Sequence, residues 1–341
     1  MPNTQIVPNE PFADIFVGDG EMARLMRAHD WTATALGSPD SWPNALKVAV
    51  RLLLTSRFEM WLGWGPDINF LYNDAYRPTL GLKHPRSLGM PTRQLWPEIW
   101  ADIEGRLATV YEKGEATWDR ALLLVLERNG YPEETYHTFS YSPLLGDSGR
   151  VEGVFCAVSE ETDRVISERQ LGSLRELASA LAGADTRSAV IAAAAAKLSE
   201  NRRDLPFTLV YLFSPTGEAA LAGATGFGSG QDIPEALQDP AAWKLESVWA
   251  GEDHAVQACA GMDLPQGDWD VAPSNAAIVP LIGQGKDRPL GAIVVGLNPY
   301  RPTDAAYVAF LKLLAGQLAA GLASAGAYEA EHARAEALAD A

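Results

Sequence analysis

Cysteine and histidine are scarce in this chain of 341 residues, with 2 and 5 copies. Cys156 and Cys259 lie far apart and form neither a CxxC pair nor a metal spacing, which excludes a disulfide framework. Both read as small apolar core residues. The histidines are His29, His84, His137, His254 and His332. No two stand four apart, so zinc has no ligand set and no metal site is expected. Basic residues are also few: Lys plus Arg is 27 against 44 for Asp plus Glu, a net charge of −17. A surface this acidic repels phosphates, so nucleic acid and anionic membrane drop out as expected partners. The first ten residues lack the basic-then-apolar pattern of a secretory signal. No apolar run is read as reaching the ~18 residues that a membrane span needs. A cytoplasmic location is therefore expected, and its reducing conditions suit unpaired cysteines.

Motifs for chemistry are missing too. GATGFGSG at 223–230 is rich in glycine, but no Lys-Ser/Thr follows, so it reads as a flexible loop at a strand end. GxSxG and paired-carboxylate patterns are absent, and the many Asp and Glu residues read as surface charge. No catalytic residue is assigned in this chain.

What is present is ordinary core material: 47% hydrophobic and 21% charged residues, enough for two globular domains. Residues 1–20 read as a flexible arm and 21–57 as a helical lead-in, with Ser41 and Pro43 opening its second helix. From 58 to 162 the texture changes. FEMWLGWG and INFLYN form a hairpin about Gly65-Pro66, and short helical pieces broken by Pro and Gly follow. WPEIWADIEGRLATVYEKGE is one helix, and TWDRALLLVLER, EETYHTFSYSPLL and VEGVFCAVSEE are three strands. That order makes a five-stranded antiparallel sheet with helices. Residues 163–182 form a connecting helix. Residues 183–303 hold a second domain, with strands FTLVYLFS, AALAGATG, AAIVPLIG and LGAIVVGLN and the helix DPAAWKLESVWAG. Residues 304–341 form an exit helix about 57 Å long. The fold class is α+β, two domains each built on an antiparallel sheet flanked by helices.

The block WLGWGPDINFLYNDAYRPTLGLKHPRSLGMPTRQLWPEIW, with RNGYPEETYHTFSYSPLLGDSGRVEGVFCAVSEETDRV, resembles the PAS domain at the front of a family of bacterial hybrid sensor histidine kinases. PLIGQGKDRPLGAIVVGLNPYRPTDAAYVAFLKLLAGQLAAGLASAGAYEAEHARAEAL is similar to the GAF domain that follows it there. The resemblance implies a sensory input module of a two-component signalling protein, with kinase and receiver domains as downstream partners. The alternatives are a ligand-free dimerisation scaffold, or the input of a cyclase, phosphodiesterase or phosphatase. His332, in EAEHARAEAL, lacks the surroundings of a kinase phosphoacceptor. Cofactors of such sensors have little support. The helix over 94–115 holds no histidine for haem, YNDAYRPTLG holds no cysteine for flavin, and Cys259 precedes Ala260 where bilin attachment favours a histidine.

Seven of the ten tryptophans, Trp31, Trp42, Trp61, Trp64, Trp96, Trp100 and Trp118, fall in the first 120 residues. They read as core, or as walls of a ligand cavity between sheet and helices. The cavity candidates are Trp61, Phe70, Tyr72, Asn73, Tyr76, Trp96, Trp100, Tyr136, Phe139 and Tyr141. About half of the strand members can face inward. Asn73 also fits a cap on the turn into the first small helix. At the sheet exit, Glu161 and Thr162 are the residues that the resemblance implies for coupling sheet to helix, and Thr162 or Ser159 also suits a helix cap. Leu171, Leu174 and Leu181 on the connecting helix, and Leu311, Leu314 and Leu318 on the exit helix, repeat at 3-4 spacing. They are the expected seam of a homodimer, with packing on the chain's own domain as the other reading for the connecting helix.

Overall fold

The computed structural model describes residues 12–228, 233–283, 285 and 288–339. The chain divides into two compact units, Met1–Val165 and Ile166–Ala341.

The first unit opens on helices α1 (Glu21–Ala28) and α2 (Asn44–Thr55). Then come β1 (Met60–Trp64), β2 (Asn69–Tyr72), α3 (Arg77–Leu80), α4 (Thr92–Leu95), α5 (Trp100–Ala108), β3 (Thr117–Leu126), β4 (Glu133–Leu145) and β5 (Val151–Glu160). The sheet order is β2-β1-β5-β4-β3, antiparallel throughout. The β1–β2 turn carries Gly65 at φ 77, a left-handed backbone that glycine adopts without strain. Gly63 is also required: a Cβ there would stand 2.2 Å from Ile68 Cγ2. The helix expected over 96–115 is shorter than read. Residues 97–99 form a 3-10 turn, α5 follows, and Thr109–Lys113 widens into a π turn that ends on left-handed Gly114.

The arm expected over 1–20 is corrected for its described part; residues 1–11 lie outside the described residues. Ile15 and Phe16 are buried in the first core. Phe16 stacks on Trp31 at 5.8 Å and meets Trp42 edge-on at 5.7 Å. Burying such a ring contributes about 1.5–3 kcal/mol toward holding this segment against the core. Trp31 and Trp42 are thus core residues of the helical lead-in.

The second unit takes the C-terminal part of α6 (Thr162–Leu181), then α7 (Arg187–Leu198), β6 (Thr208–Phe213), β7 (Ala219–Thr225), α8 (Glu235–Gln238), α9 (Leu245–Trp249), β8 (Ala255–Ala258), β9 (Asn275–Leu281), β10 (Gly291–Gly296) and α10 (Ala305–Ala339). Its sheet order, β7-β6-β10-β9-β8, repeats the pattern of the first sheet. Both faces are covered, and the period of two sorts the side chains between them. Val210, Val279 and Ile293 join the core beneath α7 and α10, while Tyr211, Ile278 and Val294 join the core on the other face.

Four expectations are revised here. Strand β8 was not anticipated, because AVQA is short and half-exposed. DPAAWKLESVWAG is not one helix but a 3-10 turn and α9. Gly223–Thr225 of GATGFGSG belong to β7, and residues 229 and 230 of that stretch lie outside the described residues. α10 is long and apolar enough to cross a membrane by length and composition alone. Lys312 and Gln317 interrupt its apolar sequence, so it holds no unbroken apolar run of that length. Its apolar face packs on the second unit's core.

Candidate functional site

The helices between β2 and β3 pack on one face of the first sheet. The odd-numbered residues of β4, His137, Phe139 and Tyr141, point toward them, as do Trp61 of β1 and Cys156 and Val158 of β5. Tyr76, Thr79, Trp96 and Ile99 close the other side. Lys83 fixes the Trp96 wall: its Nζ lies 4.0 Å above the indole and 2.6 Å from Glu98 Oε1. The space enclosed is about 30 Å³. A water needs roughly 10–15 Å³ on this measure, whereas ligand sites run to about 300–1,000 Å³. The interior is therefore nearly filled by its own aromatic rings.

Of the ten cavity candidates, Trp61, Tyr76, Trp96, Phe139 and Tyr141 line this space. The other five do not. Phe70 lies behind Trp61 at 5.0 Å. The Tyr72 hydroxyl meets His84 Nδ1 at 2.8 Å, and His84 Nε2 meets Glu21 Oε1 at 2.9 Å, which ties α1 to the sheet domain. Asn73 caps the turn after β2: its Oδ1 accepts from the Tyr76 and Met60 N–H groups, and its Nδ2 donates to the Phe58 carbonyl. Trp100 lies half-buried near the Arg93 guanidinium, 5.7 Å away. Tyr136 points to the opposite face of β4, where its hydroxyl donates to Glu134 at 2.8 Å.

Thr79, His137 and Cys156 line the space and were missed. The parity that selected Phe139 and Tyr141 also selects His137, so the signal was there to read. Burial raises the Tyr76 and Tyr141 pKa values well above 10. Burial also raises the Cys156 thiol, so it stays protonated and is a poor nucleophile. Burial holds His137 below its ordinary 6.5, although the Glu160 charge pulls the other way.

At the sheet exit, three elements meet through charge. Arg128, on the β3–β4 turn, donates from Nη1 and Nη2 to Glu160 at 2.7 and 2.8 Å. The Thr162 hydroxyl donates to Glu160 Oε1 at 2.9 Å and accepts from the Tyr136 N–H at 3.0 Å. The last residue of β5, the first of α6 and the backbone of β4 are thus clamped together. Burial alone would raise the Glu160 carboxyl, but the two Arg128 hydrogen bonds and charge reverse this and lower it. Glu161, the acidic residue expected here, is displaced by one position. It pairs with Arg164, and the Thr138 hydroxyl and then Arg164 lower its carboxyl. Strand alternation turns neighbouring side chains to opposite faces, so of these two carboxylates Glu160 reaches Arg128, which also meets Glu133 Oε2 at 3.4 Å.

The proposed dimer seam is corrected. Leu311, Leu314 and Leu318 are 1%, 2% and 1% exposed and belong to the second unit's own core. Leu181 joins them and Leu174 packs against them, while Leu171 is 64% exposed. The 3-4 spacing marks the face a helix buries, and the sheet under α10 takes that face. Among the described residues, no group of three or more His, Cys, Asp or Glu side chains is placed to hold a metal.

Residues 59–166 match the family model described as the PAS fold. Among curated proteins none matches the chain. Solved structures similar to it include the GAF domain of an Acinetobacter phosphoenolpyruvate-protein phosphotransferase, at 16% identity and TM-score 0.34, covering 46% of this chain and 95% of that one. The photosensory core module of a Stigmatella aurantiaca phytochrome aligns at 12% identity and TM-score 0.38, covering 84% of this chain and 62% of that one. The GAF domain of a protein assigned as a sensor histidine kinase, from Pseudomonas syringae pv. tomato, aligns at 17% identity and TM-score 0.35, covering 49% and 96%.

Proposed function

We propose that this chain is a cytoplasmic PAS–GAF input module that passes a cue through α6 and α10 to a histidine-kinase output, working as a homodimer. The clamp of Arg128, Glu160 and Thr162 carries the reading. It joins the sheet that would feel a cue to the first turn of the helix that would report it. A charged hydrogen-bonded junction of this kind has two discrete states, made and broken, which a modest sheet distortion can exchange. The residues that carry the resemblance to sensor kinases surround the same junction. In a chimera joining α10 in register to a histidine-kinase core, Arg128→Ala and Thr162→Ala are expected to change autophosphorylation severalfold. Rates equal to the parent chimera, with both variants folded, would remove the junction from the signalling path.

A second reading has its own support. An interior of about 30 Å³ favours a scaffold that senses by protein contact over a PAS pocket holding a metabolite. Native mass spectrometry of the freshly purified protein separates the two. A clean apo mass supports the scaffold, and an added mass supports a ligand that displaces the aromatic walls.

A further inference from the structure

The second unit contains a cleft of about 370 Å³ at the end of its sheet. This volume falls within the range of small-molecule sites. Its apolar lining includes Phe213, Leu290, Leu322 and Trp249. Two guanidinium groups, Arg187 and Arg288, open onto the same space. On a chain of net charge −17, two arginines in one apolar cleft are an unusual concentration of positive charge.

The cleft is organised in advance. Trp249 meets Phe213 edge-on at 5.2 Å, and the Arg288 guanidinium lies 4.9 Å from the Trp249 ring. Gly217 stands at φ 95, and a Cβ there would fall 2.7 Å from the indole, so the β6–β7 turn leaves room for Trp249 that a side chain would take. Among the described residues Arg288 has no carboxylate partner. Arg187 has a distant one: Glu329 Oε2 is 3.9 Å from its Nε, while Glu329 Oε1 accepts from the Arg187 backbone N–H at 3.0 Å. Both guanidinium groups therefore face the cleft beside its apolar side chains. Cations are repelled, and a neutral ligand would leave the guanidinium charge uncompensated.

We infer that this cleft binds a small organic anion, an oxyanion group carried on an apolar body, with Arg288 taking the charge and Trp249 and Phe213 taking the body. The inference does not depend on the kinase reading or on the PAS interior. The test uses the whole chain labelled with 5-fluorotryptophan, with the Trp249 signal assigned by Trp249→Phe. Titration with 4-phenylbutyrate is expected to shift that signal saturably, and phenyl phosphate to do the same if any oxyanion suffices. The neutral amide of 4-phenylbutyrate is expected to bind about tenfold more weakly, as is the carboxylate to Arg288→Gln, the loss of one charged contact. Arg288→Lys is expected to retain most of the binding. Arg288 is exposed, so both variants should keep the parent melting temperature. Equal affinity for acid and amide, an unchanged titration in Arg288→Gln, or no Trp249 shift with either anion would each overturn the assignment.

Discussion

Removing the Arg128 guanidinium leaves the Glu160 carboxylate in a partly buried site with only the Thr162 hydroxyl to satisfy it. Arg128→Ala is therefore expected to cost about 2–3 kcal/mol in urea unfolding of the first unit. Thr162→Ala loses one neutral and one charged hydrogen bond and should cost about 1–2 kcal/mol. Glu161→Gln, at the solvent side of the junction, should stay within about 0.5 kcal/mol. A larger effect at Glu161 than at Arg128 would reverse the assignment of the junction. The buried histidine adds a pH dependence. Below its ordinary pKa of 6.5, His137 takes up a proton in the unfolded chain, while burial delays this in the folded one. The unfolded state then binds more protons, so stability falls as pH drops below 6.5. Glu160 acts lower. Its folded pKa is depressed, so its contribution is present above the ordinary 4.5 and is lost as pH falls below that value. Chemical denaturation from pH 7 to pH 5 should show His137→Gln with a flatter slope than the parent chain.

Helix α10 tests the corrected seam. Leu318 is buried against the second sheet, so Leu318→Ala should destabilise that unit by about 2–5 kcal/mol through a cavity. Sedimentation of the folded variant should match the parent. A variant that dissociated a dimer at unchanged stability would restore the seam to an interface. Residues 330–338 are exposed, and among the described residues the last buried position on α10 is Ala325. Amides beyond 330 should therefore exchange with solvent far faster than those over 310–322. The opposite end of this unit is held by charge. Asp204 is fully buried and accepts from Arg169 Nε and Nη2 at 2.8 and 2.7 Å, while its carbonyl accepts from the Tyr307 hydroxyl. It links α6 to the first turn of α10, so Asp204→Asn, which weakens both charged hydrogen bonds from Arg169, should cost about 1–3 kcal/mol.

For the molecule as a whole, net charge governs association. Two copies each carrying −17 repel at low salt, so any self-association should strengthen between about 20 and 300 mM salt as the Debye length shrinks. Sedimentation equilibrium across that range reads it directly, and association that weakens with salt would point to ion pairs as the contact. The two-domain α+β organisation was readable because turns, strand periodicity and helix lengths are local properties. Five of the ten cavity candidates proved to line the space, Phe139 and Tyr141 by strand alternation. Asn73 was readable as a cap because its hydrogen bonds run to neighbours in sequence. The junction was readable to within one residue, since Glu160-x-Thr162 stands in the sequence but its partner Arg128 lies on another turn.

Composition and periodicity alone determined that Leu311, Leu314 and Leu318 share one helix face, that Phe139 and Tyr141 share one face of their strand, and that the chain holds two antiparallel sheets. They could not determine what covers a face. A 3-4 stripe looks the same whether a second helix or a sheet lies against it, and an aromatic wall looks the same around a ligand or around itself. Only tertiary packing decided that α10 closes its own core, that Phe16 reaches back to Trp31 and Trp42, and that rings fill the first unit down to about 30 Å³. Those outcomes depend on contacts between residues far apart in the chain, where burial, rather than local conformation, sets the free energy.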